Sequence, residues 1–261
     1  MKEKMEALLR EAGEIMLSAR EIEKSVTEKE GTANFVTAYD VRVQHLLQKK
    51  LGELFPEARF LGEEEDCRTD PYHGEVFVAD PIDGTTNFIR HYDASAVSVA
   101  LLRDGRAVMG ATYDPYRDEF CYAERGRGAT CNGRTLHVAS GGLRDNIVCL
   151  GTSPYHPELI PATFRAAETL MTEALDLRRS GSAVLDLCHV AKGSAGLMFE
   201  VSLCPWDHAA AGLLVEEAGG RVTRLDGSPV CYDRPCSILA GTPAACDDFL
   251  RLGLDFEPVH V

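Results

Sequence analysis

The chain has 261 residues, of which 45% are hydrophobic and 26% are charged, so a disordered chain, a fibrous repeat and a small disulfide-dependent module are excluded. Acidic residues outnumber basic residues by 41 to 27, and the net charge of −14 would repel nucleic acid. A small phosphorylated substrate is compatible with this charge if divalent cations reverse its sign locally.

The first half of the chain predicts two helices followed by an antiparallel sheet. Apolar residues at three- and four-residue spacing indicate an amphipathic helix over 5–22, and a second helix is predicted over 38–54. The polar segment 25–35 between them predicts a flexible loop. Turn signals, among them Asp104-Gly105, separate predicted strands at 58–61, 75–79, 96–102, 107–113 and 120–123.

After residue 140 the pattern changes to alternating strands and helices. Strands are predicted at 146–150, 175–177, 196–200 and 221–225, and helices at 158–170, 183–191 and 208–218. The cluster Ser140-Gly141-Gly142 marks a boundary. We therefore predict an α+β fold with an N-terminal α+β half over 1–140 and a C-terminal α/β half over 141–261.

The nine cysteines are odd in number and include no Cys-x-x-Cys pair, which argues against a disulfide framework and a zinc knuckle. We therefore expect buried thiols in a reducing compartment. No stretch approaches the roughly 20 consecutive apolar residues of a membrane-spanning helix, and the N-terminus lacks a signal-peptide pattern. The sequence predicts a cytoplasmic protein that binds no membrane.

The densest group of reactive side chains follows the apolar strand predicted at 75–79. Its sequence is Asp80-Pro81-Ile82-Asp83-Gly84-Thr85-Thr86-Asn87. Because Pro81 stiffens the turn, Asp80 and Asp83 are expected to converge, with the carbonyl of Ile82 facing the same point. The next residues open a short helix whose free N–H groups favour a phosphate. A purely structural alternative is that Asp80 ends a strand and Asp83 caps a helix.

Two other acidic residues occupy similar positions. Glu63 follows an earlier predicted strand, and Asp207 stands at the start of a predicted helix, where the simplest interpretation is an N-cap. At an effective dielectric constant of 20, two like charges ~4 Å apart repel by roughly 4 kcal/mol. A cluster of such carboxylates therefore indicates a bound cation.

The order of these motifs along the chain is Val36-Thr37-x-x-Asp40, Gly62-Glu63-Glu64, the segment 80–87, Gly181-Ser182-Ala183 and Trp206-Asp207. This order resembles the inositol monophosphatase family of magnesium-dependent, lithium-sensitive phosphatases, and the resemblance spans nearly the whole chain. It implies a layered αβαβα sandwich of the inositol monophosphatase and fructose-1,6-bisphosphatase type. It also implies a homodimer that hydrolyses inositol monophosphate.

The resemblance further implies which residues hold metal. Glu63, Asp80 and the Ile82 carbonyl would bind one Mg²⁺, and Asp80, Asp83 and Asp207 would bind a second. All of these ligands are hard oxygens, which suit Mg²⁺ or Mn²⁺ and disfavour zinc. A weaker third ion is implied near the loop 25–35.

Catalytic and substrate contacts are implied in the same way. The family's nucleophile is a metal-bound water oriented by a threonine and an aspartate, which match Thr85 and Asp40 here, with Glu63 as a further catalytic residue. Thr37 is a candidate cap hydroxyl. The residues that match family contacts to the substrate are Gly84, Thr85, Gly181, Ser182, Ala183, Glu200 and Asp207. A structural alternative for Glu200 is a solvent-facing strand end.

Three alternatives stay open from the sequence. Haloacid-dehalogenase phosphatases also carry two aspartates after an apolar strand, but the three-residue spacing of Asp80 and Asp83 disfavours their covalent mechanism. A non-enzymatic regulator that binds metal or phosphate would use most of the same residues, although Thr85 and Asp40 favour hydrolysis. Within the enzyme interpretation, fructose 1,6-bisphosphate, a 3′-phosphonucleotide or several sugar phosphates are alternative substrates.

Overall fold

The computed structural model describes residues 1–20, 22, 26–28, 35–64 and 69–256. Its helices are α1 (Lys2–Leu17), α2 (Ala38–Leu54), α3 (Thr85–Ile89), α4 (Ile160–Glu173), α5 (Ala183–Ala191), α6 (Pro205–Glu217) and α7 (Pro243–Arg251). Its strands are β1 (Thr27–Glu28), β2 (Phe35–Val36), β3 (Arg59–Gly62), β4 (Glu75–Asp83), β5 (Ala96–Arg103), β6 (Arg106–Asp114), β7 (Glu119–Glu124), β8 (Ala129–Cys131), β9 (Arg134–Thr135), β10 (Ile147–Leu150), β11 (Asp176–Arg178), β12 (Leu197–Leu203), β13 (Arg221–Thr223) and β14 (Cys236–Gly241).

Strands β3 to β9 form a seven-stranded sheet in sequence order. The predicted antiparallel pairing holds from β4 to β9, but it is wrong for β3, which pairs with β4 in parallel. The predicted hairpin between β5 and β6 is present, and both Asp104 and Gly105 have positive φ angles of 48° and 74°. These angles give the tight turn whose twist matches that of the flanking strands.

A second sheet has five strands in the order β11-β10-β12-β14-β13. β10 pairs in parallel with β11 and β12, whereas β14 is antiparallel to both of its neighbours. The predicted alternation of strands and helices after residue 140 is therefore confirmed. Strand β14 and helix α7 were missing from the sequence prediction.

The two faces of each sheet pack against helices. Along β4, Val76 and Val78 join a cluster with α5 and α6, and Phe77 and Ala79 join a cluster with α1 and α2. A third cluster joins the five-stranded sheet to α4 and α7. The layers are thus α1/α2, the seven-stranded sheet, α5/α6, the five-stranded sheet and α4/α7, which confirms the αβαβα prediction.

The cluster between the two sheets joins the two halves of the chain. It includes Val78 before residue 140 and Leu213 after it, and α6 packs directly on β5, β6 and β7. Residues at the interface of the sheets therefore come from both halves. The division into parts 1–140 and 141–261 stays a prediction.

Several element boundaries differ from the predicted ones. Helix α1 ends at Leu17, five residues before the predicted end, and α6 begins at Pro205, where proline suits the first helical turn. In the predicted loop 25–35, Thr27 pairs with Val36, so its ends form a short hairpin ladder. Residues 25 and 29–34 of that loop, near which the third metal site is implied, lie outside the described residues.

No helix in the described ranges has both the length and the apolar character needed to cross a membrane. Eight of the nine cysteines lie in these ranges, no disulfide joins them to one another, and six of them are buried. The remaining cysteine, Cys67, lies outside the described residues.

Candidate active site

Three carboxylates converge where β4 ends and α6 begins. Asp80, Asp83 and Asp207 each place one oxygen within 4.8 Å of the other two. The ladder between β4 and β5 is irregular between Asp80 and Asp83, where Pro81 has no N–H to donate. The backbone N–H of Ile82 instead donates to Asp80 Oδ1 at 2.9 Å. The bulge thus turns two nearby side chains toward one point.

Burial and mutual repulsion make these carboxylates weak acids. Desolvation, followed by the charges of Glu63, Asp83 and Asp207, raises the pKa of Asp80 well above its usual value of 3.8. Desolvation and the charge of Asp83 raise the pKa of Asp207 in the same way. The pKa of Asp83 rises to about 6 because burial outweighs its hydrogen bonds. Buried carboxylate oxygens that repel one another in this way fit a hard divalent cation, which would compensate their negative charge.

Two of these aspartates also hold secondary structure in place. Asp83 Oδ2 accepts hydrogen bonds from the Ser182 hydroxyl and from the Val184 N–H at 2.9 Å, so it satisfies the start of α5 rather than that of its own following helix. Asp207 Oδ2 accepts from the Cys204 N–H at 2.7 Å as the third residue of a capping box. Interpreting Asp207 as an N-cap was therefore wrong, since Cys204 is the N-cap.

The remaining implied metal ligands lie beside the cluster. Glu63 lines the same cavity, and its charge raises the pKa of Asp80, Asp83 and Asp207, although it is not among the three carboxylates within 4.8 Å. Ile82 is fully buried, and its carbonyl accepts a hydrogen bond from the Thr85 hydroxyl at 3.1 Å. The metal-ligand roles of these residues stay predictions.

Thr85 and Asp40 meet beside this cluster, although 45 residues separate them in the sequence. The Thr85 hydroxyl lies 3.4 Å from Asp40 Oδ1. Asp40 Oδ2 accepts from the Thr37 N–H at 2.8 Å and from the Thr37 hydroxyl at 2.5 Å, which completes a capping box at the start of α2 and confirms Thr37 as a cap. Burial raises the pKa of Asp40 to about 6.

All of the predicted site residues except Asp40 line one cavity of about 460 Å³. A short helix, α3, begins after Gly84, which agrees with the prediction that a helix opens there. Gly84 is its N-cap and has a φ of 85° that favours glycine. A Cβ there would also lie 3.0 Å from the Ala94 carbonyl and 3.3 Å from that of Gly181. The predicted substrate contacts Gly181, Ser182, Ala183 and Glu200 belong to the part of the lining that the C-terminal half contributes.

The sequence profile of the inositol monophosphatase family matches residues 1–251. The chain belongs to this family. The αβαβα fold, the acidic cluster and the Thr85–Asp40 contact are therefore features of an inositol monophosphatase family member, and the resemblance drawn from the motifs is confirmed.

Relatives of this family member carry two kinds of name. The Nus factor SuhB of Salmonella typhimurium is 35% identical over 236 residues, which cover 90% of this chain and 88% of the relative. Human inositol monophosphatase 2 is 34% identical over 227 residues, or 84% of this chain and 78% of that protein. The solved structure of SaIMPase-II with inositol monophosphate bound has a TM-score of 0.83 and 27% identity, and covers 97% of this chain and 93% of that one.

Glu200 occupies a different environment from the solvent-facing strand end that was one alternative. Its side chain is buried, and Glu200 Oε1 accepts hydrogen bonds from the N–H and the hydroxyl of Ser153, both at 3.1 Å. Burial raises its pKa to about 7 despite these bonds. Glu200 therefore anchors the segment that follows β10, and its predicted contact with the substrate stays a prediction.

Sequence reasoning missed the cavity residues that follow β10. Gly151, Thr152, Pro154 and Tyr155 line the cavity, and a Cβ at Gly151 would collide with the Glu200 carboxylate. The glycine at the end of the predicted strand was the sequence feature that marked this close approach. Nothing in the local pattern indicated that the following residues reach the acidic cluster.

Proposed function

We propose that this inositol monophosphatase family member is a Mg²⁺-dependent phosphomonoesterase that hydrolyses inositol monophosphate. The main support is the buried cluster of Asp80, Asp83 and Asp207 beside the Thr85–Asp40 contact, in a cavity large enough for a sugar-sized phosphate. The bound ligand of SaIMPase-II supports the choice of inositol monophosphate.

The residues present fit the implied metal ions. Glu63, Asp80 and the Ile82 carbonyl would hold one ion, and Asp80, Asp83 and Asp207 would hold the second. Mg²⁺ bound there would neutralise the carboxylates and the phosphate and would polarise a water molecule and the leaving oxygen. Mn²⁺ offers the same coordination chemistry.

The chain's own residues would orient the attacking water, and Asp40 would act as the proton acceptor. The Thr85 hydroxyl has one proton and two acceptors within reach, the Ile82 carbonyl at 3.1 Å and Asp40 Oδ1 at 3.4 Å. When it donates to Asp40 Oδ1, its lone pair is available to accept a hydrogen bond from the attacking water. Thr37 fixes Asp40 through two hydrogen bonds, so the orientation is set before substrate binds. The backbone N–H groups at the start of α3 would hold the phosphate.

A phosphate-release panel tests this proposal. Inositol 1-phosphate, fructose 1,6-bisphosphate, 3′-phosphoadenosine 5′-phosphate, histidinol phosphate and NADP are compared by kcat/KM with Mg²⁺ and with chelator. We expect inositol 1-phosphate to rank first and chelator to abolish release. If kcat/KM is higher for the bisphosphate or for a nucleotide, that compound takes the place of inositol 1-phosphate as the proposed substrate. A flat profile would indicate a general sugar phosphatase.

A labelling experiment tests the mechanism separately. In a single turnover in ¹⁸O-water, we expect the label to appear in phosphate and in no carboxylate. Label in Asp80 would support the covalent alternative instead.

A second candidate function comes from the name of the Salmonella relative, a Nus factor. This relative is 35% identical to the chain, and human inositol monophosphatase 2 is 34% identical to it. The net charge of −14 favours a protein partner over nucleic acid for such a role. If an Asp83→Asn variant without phosphatase activity restores the phenotype lost on deletion of this protein's gene, that result would favour this role over hydrolysis.

The phosphatase proposal also includes a homodimer, a cytoplasmic location and inhibition by lithium. Sedimentation tests the homodimer, cell fractionation tests the location, and an inhibition assay tests the effect of lithium.

A further inference from the structure

The segment after β10 crosses the rim of the cavity and is held there by Glu200. The Ser153 N–H and hydroxyl both bond to Glu200 Oε1, and the hydroxyl also lies 3.2 Å from the Ser202 carbonyl. Gly151 N–H donates to the Phe199 carbonyl at 3.0 Å, and His156 N–H donates to the Ser153 carbonyl at 2.9 Å. These bonds fix the backbone on both sides of Tyr155.

The anchored segment places Tyr155 on the lining of the cavity. Tyr155 is 46% exposed, and it lines the same cavity as the carboxylates of Glu63, Asp207, Asp83 and Glu200. Burial and these negative charges raise the pKa of Tyr155 above its usual value of 10.0, so the hydroxyl keeps its proton. Among the residues that the structure describes, it has no hydrogen-bond partner.

The chemistry of the cavity wall gives this hydroxyl a function. The walls around the cluster are rich in carboxylates, which accept hydrogen bonds from substrate hydroxyls but donate none when ionised. A polyol bound there also presents lone pairs, and each lone pair left without a donor in a buried site lowers affinity. Tyr155 therefore adds a hydroxyl that keeps its proton to the lining that it shares with Asp80, Asp83 and Asp207.

We propose that Tyr155 is a specificity-determining residue whose hydroxyl donates a hydrogen bond to an oxygen of a polyol leaving group. This inference rests on the proposed phosphatase function. Tyr155 would then favour polyol phosphates over aryl phosphates, whose leaving group presents no hydroxyls. Glu200, which lines the same cavity, would accept from the same polyol.

The test compares Tyr155→Phe with the parent on inositol 1-phosphate and on p-nitrophenyl phosphate. We expect kcat/KM for inositol 1-phosphate to fall about 5- to 20-fold, mainly through KM, as for loss of one hydrogen bond to a non-reacting part of the substrate. The value for p-nitrophenyl phosphate should be unchanged. Because Tyr155 stays protonated, the selective loss should be constant from pH 6.5 to 9.

Tyr92→Phe is the matched control, since Tyr92 is 68% exposed and is absent from the described cavity lining. It should leave both substrates unaffected. Equal losses on both substrates for Tyr155→Phe, or no loss on either, would overturn the inference. If the parent protein releases phosphate from neither substrate, the proposed function is wrong. Calorimetric titration with inositol 1-phosphate then decides the inference, which fails if Tyr155→Phe binds as tightly as the parent.

Discussion

Asp83→Asn should stabilise the metal-free protein at neutral pH, although it removes a proposed metal ligand. The pKa of Asp83 rises from 3.8 to about 6 on folding, so between these values the folded state binds more protons than the unfolded state. The free energy of unfolding therefore falls as pH rises from about 4 to about 6 and levels off above that. At 1.36 kcal/mol per pH unit, the ionised Asp83 costs about 3 kcal/mol at pH 7.5.

The asparagine variant retains most of the contacts of Asp83. Its amide oxygen can replace Oδ2 and accept from Ser182 and Val184, and its amide N–H groups then face the oxygens of Asp80 and Asp207. We expect a gain in unfolding free energy of up to about 3 kcal/mol at pH 7.5, which is about 6–12 °C in Tm for a chain of this size. At pH 4.5 the gain should shrink to about 1 kcal/mol, because Asp83 is then protonated in the folded parent but still mostly ionised in the unfolded chain.

Thermal unfolding in chelator at pH 4.5 and 7.5 measures both gains. Asp226→Asn is the control, because Asp226 lies in an exposed turn and bonds only to Ser228 among the described residues. Added Mg²⁺ should raise Tm of the parent and of the control more than that of Asp83→Asn, since ligand binding to the folded state stabilises it. A lower Tm for Asp83→Asn in chelator at pH 7.5, or a gain equal at both pH values, would refute the reasoning.

Four further substitutions test other parts of the site by steady-state kinetics. Thr85→Ala and Asp40→Asn should each lower kcat by ~10²–10⁴ with smaller changes in KM, and a rise in KM alone would contradict their orienting role. Glu200→Gln keeps an oxygen that can accept from Ser153. It should weaken transition-state binding of inositol 1-phosphate by roughly 1–3 kcal/mol and leave p-nitrophenyl phosphate unaffected. Equal losses on both substrates would mean that Glu200 only supports the segment after β10. Gly151→Ala should displace the Glu200 carboxylate and reproduce that selective loss, and unchanged kinetics would show that the close packing at Gly151 is dispensable.

Much of the architecture follows from local sequence patterns. Helices α2 and α5 have the predicted bounds, because their apolar spacing is regular and polar residues, Thr37 and Ser182, cap their first turns. The turn at Asp104-Gly105 set the β5–β6 hairpin through the positive φ angles of two adjacent residues. The motif at 80–87 likewise indicated the acidic cluster, because two carboxylates on one strand end need few distant contacts to converge.

Tertiary structure alone decided features that join distant parts of the chain. The parallel pairing of β3 with β4 depends on which sheet edge is free, and no local pattern records that. Asp83 accepts from the Val184 N–H in the first turn of α5, about a hundred residues away, and Glu200 anchors Ser153 across 47 residues, because buried carboxylates must find donors wherever packing brings them. Tyr155 joins the cavity lining from the segment that the Glu200–Ser153 contact holds. The sequence thus determines the elements and the central motif, whereas the packing of the two sheets determines which polar groups complete the site.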